Sequence, residues 1–180
     1  MKDDDLAAER REIQRCTEAL TKAAGGVRPV GWTSPGNTGS RNTWNILRSE
    51  GYLWGADDAS DDVPFLVDTT AGRLAILPRT HSHHNDLSTW VKFRSPPSIV
   101  SESFIDGFDQ LYEEGEAGAP KWIELIMHCH MAGRPTLIKN IRKCIDHVLK
   151  HDSVWFARRR EIAEWTFRHE DAETIASAAE

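Results

Sequence analysis

Short apolar stretches with the pattern of β-strands alternate along this chain with longer stretches of helical periodicity. The strand-like stretches are Arg28–Trp32, Tyr52–Gly55, Arg73–Leu77, Trp122–Met127 and Val154–Ala157. Apolar residues at helical spacing predict helices from Asp5 to the Gly25-Gly26 stop, from Ser40 or Asn42 to Gly51, and over Ser103–Glu116, Pro135–Leu149 and Glu161–His169. Because parallel sheets are built from strands joined by helices, this alternation favours an α/β protein with a parallel sheet or a barrel.

The length and composition are those of an ordinary globular chain. Its 180 residues can bury one core, so we expect a single domain over residues 1–170 and a frayed, polar tail over 171–180. A net charge of −6 offers no electrostatic reason to bind nucleic acid or an anionic membrane. No apolar run has membrane-spanning length, and residues 1–5 lack the apolar region of a secretion signal. Three cysteines without a Cys-x-x-Cys pair indicate a reducing compartment, so we predict a cytoplasmic protein.

Two histidines follow the apolar stretch Leu125–Met127. They are His128 and His130, and a Gly-Arg-Pro turn at 133–135 leads from them into the next predicted helix. In α/β folds the ligand lies at the carboxyl ends of the strands, so titratable groups at this point are the first candidates for chemistry. Residues two apart on a strand face the same side, and His-x-His with an aspartate can bind zinc. The alternative is that both histidines are hydrogen-bonded pocket or core residues.

Three predicted strand-end loops collect further polar side chains. They span residues 33–42, 57–62 and 79–86. If they converge with His128 and His130, carboxylates would orient an imidazole that passes a proton to a leaving group, which suits hydrolysis. The alternative is that the acidic loop is solvated, that Asp58 or Asp61 only caps a turn, and that the histidines at 81–84 lie on the surface. No Gly-x-Ser-x-Gly motif marks a serine nucleophile.

Six segments, taken in order, resemble one known family. They are Pro29–Pro35 (Pro-Val-Gly-Trp-Thr-Ser-Pro), Ser40–Thr43, Asp57–Phe65, Leu77–Asp86, Met127–Pro135 and His151–Arg158. Each segment is weakly specific, but their order and intervals together resemble the C-terminal two thirds of the polysaccharide deacetylase family (carbohydrate esterase family 4, NodB-homology domain). The Gly-Arg-Pro turn and the pair at 85–86 resemble the allantoinase-like branch of that family.

The resemblance implies a distorted, TIM-like (β/α) barrel that hydrolyses carbon–nitrogen bonds other than peptide bonds. Such reactions remove an acetyl group from an N-acetylated sugar or open a cyclic amide. Ile126-Met127-His128 matches the family's Leu-x-His, whose histidine is the general acid toward the leaving amine, so His128 takes that role. Asp61 and Asp62 lie in the aspartate-bearing segment that helps to orient the site. We predict substrate contacts from Asn85, Asp86, Trp32 and Arg134.

Two departures from the family pattern affect the expected chemistry. Thr33 stands where the third motif has an arginine that tunes the catalytic aspartate. The Asp-Asp and His-x-x-x-His motifs, through which family members often bind a divalent metal such as zinc, would precede Met1. The acidic residues at 3–5 do not replace them, because they lead directly into a helix. We therefore expect a partial barrel that lacks its first strands, with no metal or cofactor held within this chain. Its exposed strand edges predict self-association or a covering partner segment, and weak or absent turnover.

Three hypotheses follow from the sequence. The first is a carbon–nitrogen hydrolase of polysaccharide-deacetylase type, inactive or nearly so as this chain. The second is a non-catalytic carbohydrate-binding or interaction module on a degenerate deacetylase barrel. Thr33 and the missing metal motifs favour the second hypothesis, whereas His128, Asp61 and Asp62 favour the first. The third is a zinc protein built on His128-x-His130.

Overall fold

The structure, a computed structural model, describes residues 5–79 and 84–177, with the backbone alone from residue 170 onward. The chain packs into two compact units, one comprising Met1–Arg79 with Ala157–Glu180 and the other Thr80–Phe156. Nothing in this division tests the predicted domain over 1–170 or the frayed tail over 171–180, and both stay predictions. No helix in the described ranges is both long enough and apolar enough to cross a bilayer.

The first unit begins with helix α1, Leu6–Ala23. The Asp5 carboxylate accepts a hydrogen bond from the backbone N–H of Ala8 at 2.8 Å, and so pairs one of the N–H groups that the start of a helix leaves unsatisfied. Gly25 and Gly26, both at positive φ, follow its last turn at the predicted stop.

A four-stranded mixed sheet lies at the centre of the first unit. Strands β1 (Gly31–Trp32), β2 (Trp54–Gly55) and β4 (Gly72–Ile76) run parallel, and β3 (Phe65–Thr69) pairs with β4 as an antiparallel hairpin. The order across the sheet is β1-β2-β4-β3. Because β1 and β2 are parallel neighbours, the loops that follow them leave the sheet at the same edge.

Helices cover this sheet and complete the core of the first unit. Helix α2 (Thr43–Ser49) connects β1 to β2, and helix α6 (Arg159–Ser177) contacts β3 and β4. Full burial of one large apolar side chain stabilises a fold by about 1.5–3 kcal/mol. The buried cluster that holds the strands in place consists of Ile13, Ile46, Leu47, Tyr52, Leu74 and Ile76.

Two helices packed against each other form the core of the second unit. They are α3 (Ile99–Glu116) and α5 (Pro135–Val148), which bury Phe104, Phe108, Cys144 and Val148 between them. A π-helical turn at Ser88–Lys92 precedes α3, and the short helix α4 (Cys129–Ala132) precedes α5. Pro135 occupies the first turn of α5, as predicted, where its missing N–H leaves no hydrogen bond unmade.

The structure differs from the predicted strands in three places. Among the residues that the structure describes, Trp122–Met127 is paired only at Ile126, through an isolated parallel bridge to Asn85. Residues 154–157 form no strand, because Val154 packs against the α3–α5 core while the next two side chains, Trp155 and Phe156, are 56% and 63% exposed. The hairpin strand β3 was not predicted. Its turn depends on Gly72, which has a φ of 100°.

Candidate active site

His128 lies where the extended segment of the second unit meets helix α4. Its backbone is extended (φ −105°, ψ 122°), and its carbonyl accepts hydrogen bonds from the N–H groups of Met131 and Ala132 at 2.8 and 2.9 Å. The side chain is 34% exposed. The main chain of His128 is therefore fixed by the helix it precedes, while its ring stays within reach of a ligand.

A buried carboxylate orients the His128 ring. Asp86 is fully buried, and its Oδ1 lies 2.7 Å from His128 Nδ1. The other carboxylate oxygen, Oδ2, accepts a hydrogen bond from the backbone N–H of His128 at 2.9 Å. Both oxygens of Asp86 thus bind one residue, which holds the ring and the main chain of His128 together.

Parallel pairing of two segments brings Asp86 beside His128. The N–H of Ile126 donates to the carbonyl of His84 at 2.8 Å, and the N–H of Asp86 donates to the carbonyl of Ile126 at 3.2 Å. The bridge between Asn85 and Ile126 completes this short ladder. His84 anchors one side of it, because its ring is buried, lies 3.2 Å from the Ser103 carbonyl and packs edge-on against Phe104.

The hydrogen bonds fix which nitrogen of His128 carries a proton. An ionised carboxylate only accepts hydrogen bonds, so the contact with Asp86 requires the hydrogen to lie on Nδ1. Nε2 is then the nitrogen that can hold a proton or pass it to a ligand. This is the arrangement that a general acid or base on a histidine requires.

Asn85 and Arg134, which were predicted to contact substrate, lie in the second unit and make local hydrogen bonds. Asn85 Oδ1 accepts from the N–H of Ser88 at 3.0 Å, which supports the turn into the π-helical segment. Arg134 is exposed, and its Nε donates to the carbonyl of His130 at 3.1 Å. These contacts leave the predicted substrate roles of Asn85 and Arg134 as predictions.

His130 does not share a strand face with His128, contrary to the prediction. Residues Cys129–Ala132 are helical, so the alternation of a strand stops at His128. The two ring centroids are 5.9 Å apart with planes inclined by 74°, and His130 is exposed. His128 thus has a buried hydrogen-bonding partner, Asp86, whereas His130 is only its neighbour at the surface.

A second polar cluster lies in the first unit, at the carboxyl ends of β1 and β2. Asp57 accepts two hydrogen bonds from Ser34, from the backbone N–H at 2.7 Å and from the hydroxyl at 2.5 Å. The indole N–H of Trp32 donates to the same hydroxyl at 3.0 Å. Asp57 therefore joins the two strand-end loops, and Trp32, a predicted substrate-binding residue, belongs to that junction.

The predicted catalytic aspartates Asp61 and Asp62 lie in the exposed loop of the first unit. Asp61 Oδ1 accepts hydrogen bonds from the N–H groups of Asp62 and Val63 at 2.7 and 3.2 Å, which is the geometry of an Asx turn. This is the turn-capping alternative considered from the sequence. Their catalytic roles stay predictions.

Sequence reasoning missed two contacts. The sequence predicts a substrate contact for Asp86, whereas the structure pairs it with His128. In the sequence Asp57 is one of several loop acids, whereas in the structure it is the residue that binds Ser34. The signal for the second was available, since parallel neighbouring strands bring their following loops together. The first depended on the register between two segments and could not be read from spacing.

Comparison with known proteins finds similarity to proteins assigned as polysaccharide deacetylases and to an allantoinase. No family model matches it. A Schizosaccharomyces pombe protein assigned as a polysaccharide deacetylase is 34% identical over 128 residues, covering 63% of this chain and 39% of that protein. The crystal structure of PuuE allantoinase is similar with a TM-score of 0.79 and 31% identity, covering 89% of this chain and 53% of that one.

Two further crystal structures agree with these matches. A Pseudomonas aeruginosa protein assigned as a polysaccharide deacetylase has a TM-score of 0.78 and 33% identity, covering 89% of this chain and 53% of that one. A Mycobacterium smegmatis protein with the same assignment has a TM-score of 0.79 and 25% identity, covering 93% and 59%. This chain therefore spans 39% of the curated relative and between 53% and 59% of the solved ones.

The fold and the site define a mixed α/β protein with a partial sheet and a carboxylate-oriented histidine at the end of a paired segment. The matches show that the chain is similar to polysaccharide deacetylases over part of their length. They confirm both the resemblance drawn from the six sequence segments and the predicted fold class.

Proposed function

We propose that the chain belongs to a hydrolase of carbon–nitrogen bonds other than peptide bonds, with His128 as general acid. The observation that carries the proposal is the Asp86–His128 pair, because it fixes the tautomer of a histidine whose ring reaches solvent. The similarity to proteins assigned as polysaccharide deacetylases and to an allantoinase supports this reaction class. The substrate class we propose is an N-acetylated sugar or a small cyclic ureide.

In such a reaction the oxygen of water bonds to the amide carbon, the carbon–nitrogen bond breaks, and the nitrogen leaves with an added proton. His128 Nε2 would supply that proton, and Asp86 would hold the ring in place through Nδ1 while it does so. For the residue that activates the water, Asp61 and Asp62 are the sequence-based candidates.

A family-type metal does not fit the candidate site as the described residues form it. Three side chains with metal-ligating atoms close together are found among those residues only at Asp109, His147 and His151, away from His128 and Asp86 in the sequence. The His128 nitrogen nearest to a carboxylate is already hydrogen-bonded to Asp86. We therefore assign no step of the reaction to a metal ion.

Turnover by the purified chain tests the proposal. The wild type, His128→Gln and a control, His169→Gln, would be assayed for acetate release from N-acetylglucosamine oligomers and for ring opening of allantoin. His169 is a suitable control because it is exposed and stacks on Trp165 in the other unit. We expect His128→Gln to lower the rate by about 10²–10⁴-fold, the usual contribution of a general acid, and the control to leave it unchanged. Measurable turnover by the wild type that His128→Gln matches would refute the assignment.

The second candidate function is a non-catalytic carbohydrate-binding or interaction module. Thr33 favours it, because it stands where the deacetylase pattern has arginine. Calorimetric titration with the same oligomers distinguishes the two candidates. Saturable binding without any product supports the module, whereas product formation that depends on His128 supports the hydrolase.

We also propose that the protein works in the cytoplasm. Cys16, Cys129 and Cys144 are all free thiols, as is usual in a reducing compartment. The predicted self-association or covering partner segment stays a prediction, which light scattering after size-exclusion chromatography would test.

A further inference from the structure

A cluster of metal-ligating side chains lies on the α3–α5 pair of the second unit, apart from the proposed general acid and its partner. We propose that Asp109, His147 and His151 form a site for one divalent transition-metal ion, with zinc as the preferred ion. The site would join α3 to the segment that follows α5. This inference goes beyond the proposed hydrolase function and does not depend on it.

The ligand atoms are already close to the spacing that zinc requires. One ligand atom from each of the three residues lies within 4.8 Å of the other two. In a tetrahedral site with metal–ligand distances of about 2.0–2.2 Å, neighbouring ligand atoms are about 3.4 Å apart. At present His147 Nε2 and Asp109 Oδ1 share a hydrogen bond of 2.5 Å. A metal ion would take the place of the hydrogen between them; Nε2 would give up that proton to solvent and Nδ1 would take one up, so that the ring binds the metal as a neutral imidazole. Side-chain shifts on the order of 1 Å would satisfy the geometry.

The chemistry of the donor set favours zinc over calcium or magnesium. Two imidazole nitrogens and one carboxylate oxygen suit zinc, whereas calcium and magnesium prefer oxygen ligands alone. One nitrogen of His151 already has a partner, because its Nδ1 lies 3.0 Å from the carbonyl of His147. A carbonyl can only accept, so Nδ1 carries the hydrogen and Nε2 keeps its lone pair for the metal.

Aromatic side chains hold the two imidazoles before any metal binds. The His151 ring centroid is 5.0 Å from that of Phe108 and 4.8 Å from that of Tyr112, and Phe108 also packs edge-on against His147 at 5.7 Å. The Tyr112 hydroxyl donates to the carbonyl of Asp152 at 3.1 Å and ties the segment after α5 to α3. Because the two rings are already held in place, metal binding costs less conformational entropy.

The site is also accessible. Asp109 is 47% exposed and His147 is 24% exposed, so a metal ion can enter and a water molecule can complete its coordination. The alternative is that Asp109 and His147 only form a hydrogen bond between the two helices. That alternative does not explain why a nitrogen of His151 lies near the same two side chains. The ring of His151 is 4.9 Å from the ring of His147.

Zinc binding by the intact, chelator-treated chain tests the proposal. Zinc chloride would be titrated against a chromophoric competitor for the wild type, Asp109→Asn, His151→Gln and the control His169→Gln. We expect the wild type and the control to bind one zinc ion per chain and to gain thermal stability. The two site variants should bind at least tenfold more weakly and gain less. Circular dichroism of each metal-free variant shows whether it is folded.

Histidine modification by diethylpyrocarbonate gives a readout that needs no variant. Zinc should protect His147 and His151 in the wild type while His169 reacts at the same rate with and without the metal. Unchanged affinity in folded His151→Gln, absence of zinc binding by the wild type, or protection of His128 and His130 instead would each overturn the proposal. The last result would place the metal on the His128-x-His130 pair.

Discussion

Asp86 binds two different groups of His128. Its Oδ1 lies 2.7 Å from the ring nitrogen Nδ1, and its Oδ2 accepts the backbone N–H at 2.9 Å. The backbone N–H requires an oxygen, so in an Asp86→Asn variant the amide oxygen would take that place. The NH₂ group would then face Nδ1 and favour the tautomer with its hydrogen on Nε2.

Asp86→Asn should therefore inactivate the site without displacing it. If the chain is a hydrolase, we expect kcat to fall by about 10³–10⁴-fold, as is typical when an orienting aspartate is replaced by its amide. Nitrogen NMR of the imidazole should show the hydrogen moving from Nδ1 to Nε2. Asp68→Asn, at an exposed position on β3, is the matched control and should change neither. An unchanged tautomer in Asp86→Asn would contradict this account.

The close packing of β1 on β2 predicts a loss of stability in Gly31→Ala. A Cβ atom at Gly31 would lie only 1.8 Å from Cε2 of the Trp54 indole, so the indole or the strand must move. We expect the free energy of unfolding to fall by about 1–3 kcal/mol, the usual cost of overpacking, measured by urea denaturation.

Gly115→Ala is the control for this change. Gly115 lies in α3, and an added Cβ there would meet only an ordinary contact of 3.9 Å. Alanine is the better helix former by about 0.5–1 kcal/mol, so this variant should be as stable as the wild type or more stable. An equal loss in both variants would show that the contact with Trp54 is not the cause.

Burial determines the reactivity of the three thiols. Desolvation raises the pKa of Cys144 to about 11. The buried thiol also donates a hydrogen bond to the backbone carbonyl of Asn140. At pH 8 we expect iodoacetamide to label the exposed Cys16 and Cys129 well before Cys144, as followed by mass spectrometry of the peptides. Equal labelling of all three in the folded chain would contradict the packing described.

The same raised pKa predicts how stability changes in alkali. The unfolded thiol ionises near its ordinary pKa of 9.0, below the pKa of about 11 in the folded chain. The stabilisation from keeping Cys144 neutral is therefore complete below pH 9 and is lost as the pH rises toward 11. The melting temperature of the wild type should fall more steeply over this range than that of Cys144→Ala. Parallel pH profiles would argue against burial as the cause.

The contacts at the start of helix α6 predict that the stability of the fold decreases in acid. Glu161 accepts a hydrogen bond from the Arg158 guanidinium at 2.7 Å and another from the backbone N–H of Arg158 at 2.7 Å, and these interactions lower the pKa of the Glu161 carboxyl. The stabilisation is present above the ordinary pKa of glutamate and is lost as the pH falls through the lowered value. Glu161→Gln should thus be less stable than the wild type at pH 7, and this difference should shrink in acid.

Glu164→Gln provides the comparison for that test. Glu164 pairs with Arg160 one turn along the same helix, at 2.8 Å. Since exposed pairs of this kind contribute little and cap no helix end, the Glu164→Gln variant should melt close to the wild type by circular dichroism. Similar losses in both variants would show that the backbone contact of Glu161 has no special effect.

The sequence predicted local features of the fold better than its pairings. Asp5 and the two glycines determine where helix α1 begins and ends, and Pro135 determines where helix α5 begins. These features could be predicted because capping and periodicity act within a few residues. Strands depend on partners elsewhere in the chain, so Val154–Ala157 was wrongly predicted and β3 was missed. These errors did not affect the resemblance to deacetylases, because that resemblance depends on the order of the sequence motifs and not on the predicted strands.

The site was predicted in part for the same reason. The position of His128 after an apolar stretch was enough to single it out. That its partner is Asp86 depends on a parallel bridge between Asn85 and Ile126, which neither segment encodes alone. The expectation that His130 would face the same way failed, because helix α4 begins immediately after His128.

Asp86 and His128 are 42 residues apart in the chain, and their contact closes a loop that contains the whole of α3. Closing a loop has an entropic cost that local helix formation alone does not offset, so the pair should assemble only once α3 has packed on α5. During refolding, the site should recover later than the helical signal. Substitutions that loosen α3 would then disable a histidine that they never touch.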